Sequence, residues 1–254
     1  MYIFPAFAAL ILAGLPRGMD VTEYEIYSDK IAEKTVFCVL SDLHCRRFGK
    51  DQKKIMDIVR RKDPDCIFIP GDLFDYERDL EISFELIRQL KGLPVFFSSG
   101  NHDVYLRNLS ELKRRLEDEG VFVVDDRSVM FRDCEITGIR DRGFRKNLPD
   151  LSTGYRGFRV LLSHRPEYIP QYNEMDYDLI VSGHAHGGQW CIPFTKQGLF
   201  TPHQGFFPKY TQGMHDLKNG KLVISRGLAS GNPHLPRLYN DPEIVFITVL
   251  PKQR

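Results

Sequence analysis

Cysteine is scarce in this chain and badly placed for bridging. Cys38, Cys45, Cys66, Cys134 and Cys191 are odd in number and widely spaced. They form no Cys-x-x-Cys pair and no zinc-finger spacing, so neither a disulfide scaffold nor a structural zinc module is expected. Buried free thiol is the ordinary fate of such residues. Charge of one sign is lacking too. With 35 Lys and Arg against 34 Asp and Glu, the formal net charge is +1. That balance exerts no general pull toward nucleic acid or an anionic membrane, so any attraction for phosphate has to be local. No nucleic-acid partner is expected. The absence of His-Glu-x-x-His removes the common zinc-peptidase helix. No repeat, low-complexity tract or Pro/Gly/Ser-rich linker divides the 254 residues, and 42% hydrophobic content is ample for a large core. One domain over residues 21–254 is therefore expected, led by a short apolar segment over residues 1–20.

Long apolar runs are also missing. Ile3 to Leu15 (IFPAFAALILAGL), followed by Arg17, falls short of the about 20 apolar residues that a spanning helix needs. It also lacks the basic start and cleavage site of a secretory signal. Three readings stay open: a clipped or mis-started membrane anchor, a segment lying in the membrane interface, or a helix packed on the domain. Little in Ile3–Leu15 is polar enough to make a wet face. The expectation is membrane association, on either side, with a cytoplasmic location as the alternative.

What is present is a regular alternation. Strands are expected at Val21–Tyr27 (an edge), Thr35–Leu40, Cys66–Pro70 and Pro94–Ser98, with helices at Asp51–Arg61, Leu80–Leu90 and Leu109–Glu119. Short strands follow at Val121–Val124, Val129–Phe131, Glu135–Ile139, Phe158–Leu162, Tyr177–Val181, Lys221–Ser225 and Ile244–Val249. Strand–helix alternation followed by a strand-rich half predicts an α/β sandwich around two mixed sheets flanked by helices.

Five polar motifs each follow one of these strands: Ser41-Asp42-Leu43-His44, Gly71-Asp72, Gly100-Asn101-His102-Asp103, Ser163-His164, and Ser182-Gly183-His184-Ala185-His186-Gly187-Gly188. Singly, an Asp-x-His or Gly-Asp is usually a turn or cap, and a single His is usually an ordinary hydrogen-bonded residue. Recurrence is what carries information, because functional groups in α/β sheets gather beyond the carboxyl ends of strands. Asp42 and His44, like His184 and His186, stand two apart and point the same way in extended chain.

Here the chain resembles the calcineurin-like metallophosphoesterases, whose pattern is D-x-H, G-D, G-N-H-[D/E], H and G-H-x-H. The match runs from Asp42 to His186 with no element missing. GHAHGGQ (Gly183–Gln189), SRGL (Ser225–Leu228) and VTEYEIYSDKI (Val21–Ile31) resemble the bacterial branch of membrane-associated or exported phosphodiesterases. Cys45 and Arg46 after His44, and the short apolar lead, are small departures. The resemblance implies a binuclear metal-dependent hydrolase of phosphodiesters or phosphomonoesters. Asp42, His44 and His186 would hold one ion, Asn101, His164 and His184 the other, and Asp72 would bridge them. A metal-bridging hydroxide would be the nucleophile, His102 the general acid and Asp103 a candidate to orient it. Such a mixed N/O donor set suits two ions of Mn, Fe, Zn or Co better than Mg. A lipid-linked or nucleotide-linked ester, or a catalytically silent scaffold, are the alternatives.

Arg165 and Arg226 are candidates for phosphate or head-group contacts, a structural salt bridge being the competing reading. Trp190–Tyr210 is a long aromatic loop that either roofs the site or fills core. Arg140–Arg159 is locally basic and is expected to be solvated loop. His203, His215 and His234 have no motif partners and are expected not to be ligands.

Overall fold

The computed structural model describes residues 3–75, 78–142, 151, 153–229 and 235–252, the side chains of residues 3–8 excepted. Strands β1 (Asp20–Ser28), β2 (Thr35–Val39), β3 (Cys66–Ile69), β4 (Val95–Phe97), β5 (Val121–Val123) and β14 (Glu243–Pro251) make one sheet, in the order β1-β14-β2-β3-β4-β5. The second sheet runs β12-β13-β9-β8-β7-β6, from β6 (Arg127–Phe131), β7 (Cys134–Ile139), β8 (Phe158–Ser163), β9 (Leu179–Ser182), β12 (Gly213–Asp216) and β13 (Lys221–Ile224). A small hairpin, β10 (Phe200–Thr201) and β11 (Gly205–Phe206), stands apart.

Alternation along the central strands decides how the layers stack. Phe37, Val39, Phe68 and Phe96 face the second sheet and pack with Ile136, Val160, Leu162, Val181 and Val223. Their neighbours Cys38, Ile67, Ile69, Val95 and Phe97 face outward, under helices α2 (Lys53–Lys62), α3 (Glu81–Gln89) and α5 (Leu109–Asp118). Strands buried on both faces need apolar residues at every position, which is what TVFCV and CIFI supply. On α2, Ile55, Ile58 and Val59 follow helical spacing toward that core. Asp63, left-handed at φ 46°, and the following Pro64 stop the helix. The outer face of the second sheet carries its own cluster, where Leu161, Ile180, Leu222 and Ile224 meet Tyr168, Tyr172 and Tyr177. All five cysteines are free and buried.

The apolar lead forms α1 (Ile3–Gly14), fastened at its end. Tyr239 donates its hydroxyl to Leu10 O at 2.7 Å and its backbone N–H to Gly14 O at 2.6 Å. A Cβ on Gly14 would lie 2.7 Å from Tyr239 Cδ2, so only glycine lets the helix end this close. Among the described residues no helix is long and apolar enough to cross a membrane. The anticipated strands and helices stand within a residue or two of their expected limits, with β1 an edge strand. The two-residue strands β10 and β11, and the one-turn helices α4 (Asn101–Val104) and α6 (Ile169–Tyr172), show too little periodicity to be read from sequence.

Candidate metal centre

Parallel pairing of β2, β3 and β4, and of β7, β8 and β9, points their carboxyl ends the same way within each sheet. Asp42 and His44 follow β2, Asp72 follows β3, Asn101 and His102 open α4 after β4, His164 follows β8, and His184 and His186 follow β9. The chain turns back sharply at most of these points. Asp42 (φ 54°), His44 (48°), Asp72 (53°), His184 (67°) and His186 (47°) all take the left-handed conformation. Each such residue costs of order 1 kcal/mol or more and persists only where surroundings over-determine it, as they do at functional sites. Gly71, at φ 119°, has no room for a Cβ, which would meet Gly100 Cα at 2.7 Å and the His164 ring.

The side chains converge. Asp42, His44, Asp72 and His186 bring one donor atom each within 4.8 Å of one another, as do Asp72, His164 and His184, so Asp72 belongs to both groups. His164 Nε2 lies 3.1 Å and His44 Nε2 3.7 Å from Asp72 Oδ2, while His186 Nε2 lies 3.7 Å from Asp42 Oδ1. Both nitrogens of His44, Asp72 Oδ2, Asn101 Oδ1, His102 Nδ1 and His164 Nε2 are buried without a hydrogen-bond partner among the described residues. Buried polar atoms are ordinarily satisfied, and a concentration of orphans around one carboxylate is the signature of a cation site. The ring orientations agree. His164 Nδ1 sits 3.0 Å from Pro70 O and His186 Nδ1 2.9 Å from Ala229 O, so a backbone carbonyl holds the proton on Nδ1 and leaves Nε2 to coordinate.

Electrostatics divide the imidazoles. Burial keeps the His186 ring neutral, with its pKa pushed down to about 3, and pushes His184 well below the ordinary value with help from His164 and Arg165. Burial also opposes charge on His164, but Asp72 against it, with Asp42 and Asp141, holds its pKa up to about 10. Asp72 in turn is held well below the usual carboxylate range, because His164, His44 and His102 outweigh its burial. Without cations the pocket thus keeps a proton on His164.

The carboxylate beside His102 is Asp75, which the sequence motifs did not single out. Asp75 Oδ1 lies 3.6 Å from His102 Nδ1, and Asp75 Oδ2 3.4 Å from His44 Nδ1. Asp103, anticipated in that role, turns the other way. Its carboxylate accepts the backbone N–H groups of Asp72, Phe74 and Gly100 at 2.8 Å each, locking two motif loops together. Burial and the nearby Asp72 charge push its pKa up to about 7. The spacing Gly71-Asp72-x-x-Asp75 was visible in the sequence, but nothing local sets Asp75 apart from Asp79.

Arg165 and Arg226 are both engaged in ion pairs. Arg165 is buried, pairs through Nε with Asp141 at 2.5 Å, and reaches His184 Nε2 at 3.2 Å. Arg226 bridges Asp20 at 2.8 Å and Glu243 at 3.1 Å, away from the cluster. For Arg226 the salt-bridge reading holds. His203 lies against the centre after all: its ring stacks on His184 with centroids 5.7 Å apart. Together with Glu167 the two form a further group of close donors. His215 faces Gln212 O and Tyr210 instead. His234, and residues 143–150 and 152 of Arg140–Arg159, lie outside the described residues, while Arg159 is buried and pairs with Glu135 at 2.8 Å.

A model of the calcineurin-like phosphoesterase family matches residues 35–188. That span is well over half of the 254 residues and holds all five polar motifs that follow strands. The chain belongs to the calcineurin-like phosphoesterase family. Relatives of this phosphoesterase include an uncharacterized metallophosphoesterase, YkoQ, of Bacillus subtilis, 26% identical over 82% of this chain and 80% of that one. The phosphodiesterase YaeI of Escherichia coli is 25% identical over 83% of this chain and 80% of its own. In architecture it is similar to TT1561 of Thermus thermophilus, with a TM-score of 0.52 and 11% identity over 75% of this chain and 88% of that one. The protein is accordingly a metal-dependent hydrolase of phosphate esters.

Proposed function

We propose that Asp42, His44 and His186 hold one divalent ion, that Asn101, His164 and His184 hold a second, and that Asp72 bridges them. The observation carrying this reading is the ring of buried, unpartnered donors around Asp72. Four imidazoles, two carboxylates and an amide favour Mn, Fe, Zn or Co. When bound, the ions would supply Lewis-acid polarisation of phosphoryl oxygens and a water acidic enough to attack at neutral pH. His184 and His186, already neutral, present lone pairs directly, whereas His164 gives up its proton on loading.

Asp75 Oδ1 faces His102 Nδ1 at 3.6 Å, which favours the charged ring and leaves Nε2 to deliver a proton to the departing oxygen. The water oxygen–phosphorus bond forms as the phosphorus–oxygen ester bond breaks, and the His102 proton ends on the alcohol. General acid catalysis of this kind is worth about 10²–10⁴-fold. Burial opposes charge on His102, but Asp75 and Asp72, which face it, hold its pKa above the ordinary value.

The test uses purified protein, supplied in turn with each metal and an aryl phosphodiester or monoester. His102→Ala is expected to lose turnover at near-normal metal content, and Asp72→Ala to lose metal as well. Equal turnover in His102→Ala and the parent refutes the acid assignment. A metal-loaded parent inert on every ester favours the silent scaffold.

A further inference from the structure

We propose that α1 and the loop after β9 form a single face that docks on an anionic lipid bilayer. This rests on the phosphoesterase reading only in naming where substrate is met; the docking itself involves no turnover.

Exposed apolar side chains concentrate on this face. Phe194 is wholly exposed at 103%, Phe206 71%, Leu12 66% and Phe207 61%, with Leu10 and Trp190 beside them. The parts adjoin one another. Leu10 and Ile11 of α1 line one apolar groove of about 240 Å³ with Trp190, Ile192 and Pro193, the residue before Phe194. The β10–β11 hairpin is fixed to the same groove, since Phe207 N–H donates to Leu199 O at 2.9 Å and the Phe200 and Phe206 rings lie 5.2 Å apart. Moreover, Phe194 and Phe207 hold left-handed backbones, φ 63° and 53°, while pointing into solvent. A bulky residue in that conformation is strained, and no intramolecular burial offsets the strain here.

Charge selects the partner. Residues 1–19 and 179–215 contain none of the 34 Asp and Glu residues of the chain, yet they carry Arg17, Lys196 and Lys209, all exposed. Phenylalanine and tryptophan at the centre of this face, with Arg17, Lys196 and Lys209 around it and Asp20 and Asp241 at its edge, are complementary to a bilayer interface, where aromatic rings sit at head-group level. Each Lys or Arg near an anionic leaflet strengthens binding severalfold. At 12 residues α1 is about 18 Å long, against about 30 Å of hydrocarbon, and its fastening to Tyr239 lays it along this face. The same loop lays His203 against His184. Docking thereby sets the mouth of the metal centre beside the head groups, and points to a phosphoester borne on a lipid as the substrate class.

The experiment is co-sedimentation of the full chain with phosphatidylglycerol-containing vesicles and with pure phosphatidylcholine vesicles, without substrate. Binding is expected on the anionic vesicles, to fall at least about tenfold in F194S/F206S/F207S, and to weaken with salt and in K196E/K209E. The charge variant keeps every apolar residue, so it decides the matter if the triple variant fails to fold. Absence of binding to anionic vesicles, or binding unchanged in K196E/K209E, overturns the proposal. So does a concentration-dependent dimer by light scattering that F194S/F206S/F207S abolishes, which would assign the face to a second copy. Failure on vesicles leaves the His102 result standing, and the reverse holds equally.

Discussion

Asp75 touches both His44, a proposed ligand, and His102, the proposed acid, so its removal is expected to act twice. In Asp75→Asn the shape is kept but the charge is lost. Turnover is expected to fall about 10–100-fold, the usual cost of removing an outer carboxylate from a metal site. Metal affinity, read by competition with a chelating dye, should weaken through His44. With metal in saturating excess, the double variant Asp75→Asn/His102→Ala should turn over no more slowly than His102→Ala, because residues acting as a unit are not additive; a multiplicative loss would separate them. Asp103→Asn makes a contrast. Its carboxylate accepts three backbone N–H groups, and the amide nitrogen of Asn cannot accept. The expected loss is therefore stability, of order 1–3 kcal/mol in urea unfolding.

The loops after β2, β3 and β9 matter as elements because their backbones are strained in concert. Gly227, at φ 72°, is the tightest case away from the ligands themselves. A Cβ there would fall 2.6 Å from Asp42 Cβ, and its neighbours Leu228 and Ala229 donate backbone N–H groups to Ser41 O and Asp42 O at 2.9 and 2.8 Å. Gly227→Ala is expected to push the β13–β14 connection off the Asp42 turn. Metal should be lost together with at least about 1 kcal/mol of stability, measured by metal analysis and denaturant unfolding. At the other end of the chain, Tyr239→Phe removes the hydroxyl that holds Leu10 O. Hydrogen exchange in the last turn of α1 is expected to quicken while global stability changes by about 1 kcal/mol or less.

For the whole molecule, the two sheets enclose five thiols whose ionisation the fold resists. Burial pushes Cys134 up to about 12 and raises Cys38 and Cys66 further. An unfolded thiol ionises near pH 8.5, so above that pH the unfolded chain binds fewer protons than the native one. Stability is therefore expected to be level with respect to these groups below about pH 8 and to fall as pH rises from there toward the native pKa values. Urea midpoints across pH 7–10 read the slope, and a disulfide reagent at pH 8 should label the cysteines only after unfolding. Metal binding acts on the same balance, since each ion at about 100 times its Kd adds about 2.7 kcal/mol. Chelation should therefore lower the melting temperature, and less so at acid pH, where protons compete with the ions at His164.

Hydrophobic alternation and strand–motif succession were enough to place the strands, the helices and the five polar motifs in the chain, because each depends on residues within a few positions of one another. The order of the strands in two sheets, and the meeting of loops more than 100 residues apart around Asp72, depend on burial across the sandwich. Asp75 and His203 join the centre, and Asp103 and Arg226 leave it, for that reason: the composition of a side chain is local, but the direction in which it points is settled by the packing of remote strands and turns.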